Sequence, residues 1–138
     1  MNKIVSGLMS VFAIVTLAQA ADTVPITPGL WEINSTSTNP FSGSKSYSGQ
    51  ECMTENVFDV SRMMKDMPED ACDVNTSVSG NTISYDMDCS MQGQQMTGNG
   101  TFTVNGDTAK GEMTMKSSIS GQTFEMIMVS DAKRIGDC

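Results

Sequence analysis

The sequence predicts a mainly β protein: an antiparallel meander of seven or eight strands, curled or closed into a barrel, with one inserted α-helix. Apolar and polar residues alternate along most of the chain, which is typical of half-buried strands. Turn-forming dipeptides such as Gly80-Asn81 and Asn105-Gly106 separate the alternating stretches. A meander of this length tends to curl, and closing it removes its exposed edges.

The stretch from Cys72 to Cys89 predicts the central hairpin. A two-residue turn at Gly80-Asn81 places the two cysteines opposite each other and Val78 opposite Ile83, on one apolar face. The cysteines then fall on a non-hydrogen-bonded pair, where Cα atoms are about 4.5 Å apart. That distance suits a disulfide. The alternative is two reduced cysteines in a core.

The first 20 residues have the pattern of a secretory signal peptide. A short basic start and an apolar run precede Ala18-Gln19-Ala20, a small-x-small cleavage site. We therefore expect one periplasmic β domain over residues 21–138. In an oxidising compartment the four cysteines form disulfides, so pairing within the hairpin leaves Cys52 to pair with Cys138.

Charge and composition exclude several classes of function. The net charge of −8 disfavours nucleic acids and anionic membranes and favours solubility. The chain has no histidine, so the usual base of a serine or cysteine nucleophile is missing. We expect no enzyme, no catalytic residue, no cofactor and no membrane span in the mature chain, and we expect a monomer.

Two strands and a helix are predicted before the hairpin. After a linker over residues 21–28, the first strand places Trp31, Ile33 and Ser35 on one face, and residues 45–53 form a second strand. Thr54 is a suitable helix N-cap. An apolar stripe follows at helical spacing and predicts a helix over residues 55–67; its members are Val57, Val60, Met64 and Met67.

The second half continues the meander. A four-residue loop over Gln92–Gln95 sets Met91 against Met96 and Tyr85 against Phe102. Turns at Asn105-Gly106 and Ser120-Gly121, of two or four residues, keep the later apolar residues on the same face. Residues 132–138 form a short strand or a tail.

An ordered set of short motifs resembles a known family. The motifs are Pro28-Gly29-Leu30-Trp31-Glu32, Cys52-Met53-Thr54, Asp70-Ala71-Cys72, the Gly-Asn turn, Met87-Asp88-Cys89 and Arg134-Ile135-Gly136-Asp137-Cys138. Together they resemble the secreted bacterial domain of unknown function (DUF) 3617. The resemblance implies a periplasmic β protein of Gram-negative bacteria without an assigned activity. A weaker lipocalin-like similarity lies in Gly29-Leu30-Trp31, with Arg134 positioned to stack on Trp31.

The predicted function is non-catalytic binding of a small apolar ligand or of a segment of an envelope protein. The residues expected to line the interior are Trp31, Tyr85, Phe102, Met113, Met115, Phe124, Met126 and Met128. The same residues also fit a plain core, because methionine fills irregular gaps. One alternative is Cu(I) binding through the pairs Met113-x-Met115 and Met126-x-Met128, since thioethers are soft ligands. Another is a structural or interaction module without a ligand.

Overall fold

A computed structural model describes residues 22–65, 68 and 70–138, without the side chains of Met63 and Met64. The chain is mainly β, as predicted, and its main sheet has seven antiparallel strands. In chain order these are β2 (Gly29–Asn39), β3 (Gly43–Met53), β5 (Cys72–Ser79), β6 (Thr82–Met91), β7 (Gln94–Asn105), β8 (Thr108–Ile119) and β9 (Gln122–Gly136). Their spatial order is β3-β2-β9-β8-β7-β6-β5, so the first and last strands of the sheet in sequence lie side by side, next to the edge strand β3.

A smaller layer covers one end of one sheet face. It consists of β1 (Thr23–Pro25), which pairs with β4 (Val57–Asp59), and a 3₁₀ helix over Val60–Met64. Val24 and Val60 are almost completely buried, and the ring of Phe58 stacks on Phe102 of the sheet with centroids 4.1 Å apart. We call the sheet face beneath this layer the inner face.

The inner face carries the core. Its residues alternate with exposed polar ones along each strand, as the pleat of a half-buried sheet requires. The buried apolar residues are Val24, Ile26, Trp31, Met53, Val60, Ile83, Tyr85, Met87, Cys89, Val104 and Ala109.

The central hairpin has the predicted register. Cys72 lies opposite Cys89 and Val78 opposite Ile83, and the two cysteines form a disulfide with Cα atoms 4.0 Å apart. The turn begins with Gly80, whose φ of +61° is a conformation that glycine adopts without strain. The second predicted disulfide, Cys52–Cys138, is also confirmed; it spans 86 residues and ties the end of β3 to the C-terminal residue.

The α-helix predicted over residues 55–67 is wrong where the structure describes that stretch. Val57–Asp59 is a strand, and Val60–Met64 is a 3₁₀ helix that begins at Asp59, whose side chain accepts from the Ser61 amide at 2.7 Å. The residues expected to be a linker, 21–28, contain β1, and β1 takes the backbone of β4 as its hydrogen-bonding partner. Met67 lies outside the described residues.

Barrel closure is also not found. Among the described residues β3 and β5 pair on one side only, so the sheet is open. The register between β6 and β7 differs from the prediction by two residues: the loop has two residues rather than four, and Tyr85 lies opposite Gly100 instead of Phe102. The turn after β7 is Gly106-Asp107, one residue beyond the predicted Asn105-Gly106.

The predicted signal peptide, residues 1–20, lies outside the described residues. Within the part of the chain that the structure describes, no helix has the length and apolar character to cross a membrane. Two disulfides are consistent with a secreted protein, because such bonds persist in oxidising compartments.

Candidate ligand-binding cleft

A cleft of about 290 Å³ opens between the inner face and the small covering layer. Its floor is the sheet, and its wall is the segment around β1 and β4. Most of its lining is apolar and comes from Ile26, Trp31, Ile33, Met53, Phe58, Ala109 and Ala132. Ala109 and Ala132 lie opposite each other on β8 and β9, and their small side chains leave the space above the floor open.

Trp31 is the fixed element of the floor. Its side chain is 1% exposed, and its Nε1 donates to the carbonyl oxygen of Thr27 at 2.9 Å. A buried indole N–H needs such an acceptor, which sets the orientation of the ring. Trp31 therefore forms a fixed base beneath the cleft, and little of its ring surface is exposed there.

Arg134 fixes the start of strand β2, next to Trp31. Although the two residues lie opposite each other on β2 and β9, the Arg134 Nε donates to the Pro28 carbonyl at 2.8 Å, and its Nη2 pairs with Asp137. Gly29 lies beneath this side chain with a φ of +145°, and a Cβ there would come within 2.5 Å of the Arg134 Nε. Only glycine fits at this position, which explains the Pro-Gly start of the strand.

Charged side chains line the rim of the cleft. They are Glu51, Arg62 and Lys65. An Arg62 Nη1 lies 3.5 Å from Glu55 and the Nη2 3.9 Å from Glu51, which are ion-pair distances. The Nη1 atom is buried and makes no hydrogen bond to the described part of the chain. The Arg62 side chain as a whole is 24% exposed and lines the cleft, so its guanidinium can donate to a group that enters.

All eight residues predicted to line the interior lie on the inner face, but the structure separates them. Trp31 alone among them lines the cleft. Tyr85 lies in the core, 3% exposed, where burial raises the pKa of its phenol above the ordinary value. Phe102 is half-buried beneath Phe58.

The other five predicted residues lie beyond the covering layer. They are half-buried on β8 and β9 and are Met113, Met115, Phe124, Met126 and Met128. Phe124 packs against Phe41 of the β2–β3 turn, with ring centroids 4.5 Å apart. The inner face therefore has two regions, a covered apolar cleft and an open patch rich in methionine.

Sequence reasoning missed the wall and the rim of the cleft. Ile26 and Phe58 belong to segments predicted as a linker and a helix, and Arg62 belongs to the same predicted helix. One signal was available: residues 22–28 include two isolated large apolar residues, Val24 and Ile26, and both are buried.

Comparison with protein families gives one match. The model for DUF3617, a protein family of unknown function, matches residues 26–138, which is most of the chain. The chain belongs to the DUF3617 family. No curated protein and no solved structure matches it significantly.

The DUF3617 match covers both the cleft and the two disulfides. Residues 26–138 contain every residue that lines the cleft, from Ile26 onward, and all four cysteines. The covering strand β1 lies before the match, whereas its partner β4 lies within it. The family name assigns no activity, and the cleft is the feature of the chain that bears on its function.

Proposed function

We propose that this DUF3617 protein is a non-catalytic binding module of the bacterial periplasm that holds a small apolar ligand in the cleft over Trp31. The observation that carries the proposal is the cleft itself, an apolar concavity with a rigid aromatic floor and the guanidinium of Arg62 at its rim. Small-molecule sites commonly combine an apolar lining with a few polar groups that orient the ligand.

The size of the cleft limits the ligand. At about 290 Å³ it lies near the lower end of ligand pockets, which are roughly 300–1,000 Å³. A neighbouring groove along β2 and β3 shares Ile33 and Glu51 with the cleft, so a chain-like ligand can extend along it. A short alkyl chain or a single ring system fits these dimensions better than a large cofactor.

The rim adds a polar requirement. Arg62 lines the cleft, and a ligand oxygen at the rim would accept a hydrogen bond from its guanidinium. Glu51 and Glu55 already neutralise much of the Arg62 charge, so the ligand needs a hydrogen-bond acceptor at this end more than it needs a full negative charge. The ligand we propose has an apolar body and one acceptor, such as a carboxyl or hydroxyl oxygen, at its end.

Tryptophan fluorescence offers a direct test, because Trp31 is the single tryptophan of the chain. Titration with decanoic acid or decanol should shift its emission in a saturable way, whereas decane, which lacks an acceptor, should bind more weakly. Native mass spectrometry of the protein purified gently from periplasm should show a retained mass of a few hundred daltons, on the scale that a pocket of this kind holds.

Three variants locate the site. Ala132→Leu fills the cleft and should abolish binding, and Arg62→Gln should remove the preference for decanoic acid and decanol over decane. Val129→Ser, on the exposed opposite face of the same strand β9, is the matched control and should bind normally. A wild-type protein that shows neither a saturable emission change nor a retained mass would refute the proposal, and so would normal binding by Ala132→Leu.

A further inference from the structure

The open region of the inner face contains an ordered group of methionines. On the paired strands β8 and β9, Met113 lies opposite Met128 and Met115 lies opposite Met126. The four side chains therefore form a two-by-two array, which we call the thioether block. Directly opposite residues have Cβ atoms about 4.5–5.5 Å apart, and a methionine has three rotatable side-chain bonds, so four sulfur atoms can converge.

A fifth thioether reaches the block across a glycine. Gly98 on β7 lies between Met87 on β6 and Met115 on β8 in one row across the sheet. A Cβ on Gly98 would come within 3.3 Å of the Met87 Sδ, which shows that the Met87 side chain lies over this glycine. The absence of a side chain at residue 98 thus brings the sulfur of Met87 toward Met115.

Burial differs among these methionines. Met87 belongs to the packed core and is 7% exposed, and Met113 is half-buried and packs against the edge of that core. The other three members of the block are also half-buried but are not among the residues packed against the core, and the small covering layer packs on the opposite end of the face. Core packing thus accounts in part for Met113, whereas the other three contribute less apolar burial.

The residues directly beside the block are uncharged. The neighbours in register on this face are Ser37 beside Met128, Gly100 beside Met113 and Gly98 beside Met115. Phe124 and Phe41 close one side with an aromatic contact. A cation, Lys45, lies one strand further away, opposite Ser37 on β3. The chain as a whole has a net charge of −8, which favours the approach of a cation.

From these observations we propose that the thioether block, with Met87 beside it, is a binding site for a soft monovalent metal ion, Cu(I) by chemistry. Thioethers are soft ligands that select Cu(I) over the hard cations that prefer oxygen. The site uses no histidine, cysteine or carboxylate, which agrees with a chain that has no histidine and whose four cysteines are in disulfides. Binding here is separate from the cleft over Trp31 and does not depend on a ligand there.

Competition titration tests the proposal. The protein is titrated with Cu(I) under anaerobic conditions against a chromophoric Cu(I) chelator, and with Ag(I) as a probe that does not change oxidation state. The wild-type protein should take up one ion. The paired variants Met113→Leu/Met128→Leu and Met115→Leu/Met126→Leu should each weaken binding by more than about tenfold, since the loss of outer-shell partners alone has that effect.

The control variant is Met91→Leu, which removes a methionine at the end of β6, away from the block. Leucine preserves volume, so each substitution should lower stability by less than about 1.5 kcal/mol. Circular dichroism checks that the variants fold. Should a paired variant fail to fold, the wild-type protein with ¹³C-labelled methionine methyl groups gives a second measurement: Ag(I) should shift the methyl signals of the block and leave those of Met53 and Met91 unchanged.

Two results would overturn the inference. One is a wild-type protein that takes no ion from the chelator and whose block methyl signals do not respond to Ag(I). The other is undiminished affinity in both folded paired variants, or an equal loss in Met91→Leu, because either would place the metal elsewhere.

Discussion

Removing the Cys52–Cys138 disulfide tests how the open sheet is held together. The bond closes a loop of 86 residues, against 17 for Cys72–Cys89. In the chain-entropy description the longer loop is worth about 4.6 kcal/mol at 25 °C and the shorter one about 3.1 kcal/mol. We therefore expect the double variant Cys52→Ala/Cys138→Ala to lower the free energy of unfolding by about 4–5 kcal/mol, a large part of the 5–15 kcal/mol typical of a domain.

Burial modifies the comparison between the two disulfides. Cys89 is 1% exposed and packs in the core, whereas Cys52 and Cys138 are exposed. The variant Cys72→Ala/Cys89→Ala therefore loses packing as well as loop closure, and the difference between the two double variants should be smaller than loop length alone indicates. A mild reductant should open Cys52–Cys138 first, because its sulfur atoms are accessible.

Urea unfolding followed by the fluorescence of Trp31 measures both variants, and non-reducing peptide mapping of the wild-type protein verifies the two linkages. A loss of less than about 1 kcal/mol in Cys52→Ala/Cys138→Ala would refute the reasoning. It would mean that the denatured chain is already compact enough for the cross-link to add no constraint.

Three further predictions concern single residues. Gly100→Ala should destabilise the fold by about 1–3 kcal/mol, because its Cβ would lie 2.5 Å from both the Tyr85 hydroxyl and a carbonyl oxygen of β8. Gly49→Ala, with open space around the residue, is the control, and equal urea midpoints for the two variants would contradict the prediction. Tyr85→Phe should remove a loss of stability at alkaline pH. Burial raises the pKa of the Tyr85 phenol in the folded state, so above pH ~10 the unfolded state deprotonates first and the wild type loses up to about 1.4 kcal/mol of unfolding free energy per pH unit. Unfolding titrations over pH 9–11 that coincide for the wild type and the variant would exclude this effect. Asn81→Ala should cost about 1 kcal/mol, since the Asn81 Nδ2 donates to the Val104 carbonyl at 2.6 Å; an unchanged thermal midpoint would count against it.

The central hairpin could be predicted to the residue because several constraints agree. A glycine turn, a period-two apolar face and two cysteines permit only one register between Cys72 and Cys89. The next pairing was wrong by two residues because Gly98 and Gly100 provide no side chains to define it. A shift of two keeps every residue on its face, so the face could be predicted where the register could not.

The covering layer could not be predicted from local pattern. Val57 and Val60 have helical spacing, but Val57 pairs with Pro25 of β1, a strand of only three residues that lies more than 30 positions earlier in the chain. Val60 follows directly after β4. Such tertiary pairing overrides local propensity. The position of this layer decides which part of the inner face becomes a cleft. The sequence therefore predicted the correct face for all eight interior residues, but only one of them, Trp31, lines the cleft.

The order of the strands has a consequence for how the chain acquires its structure. The hairpin β2–β3 and the meander β5–β9 each form from neighbouring segments, but the β2–β9 ladder that unites them joins Leu30 to Gly136. Contacts at such sequence separation form late, because the loop they close is long. A chain that emerges N-terminus first, from a ribosome or through a membrane, therefore holds two unjoined sheets until β9 arrives. Completion of the sheet is coupled to the arrival of β9, and a protein truncated before β9 would present unpaired edges on β2 and β8.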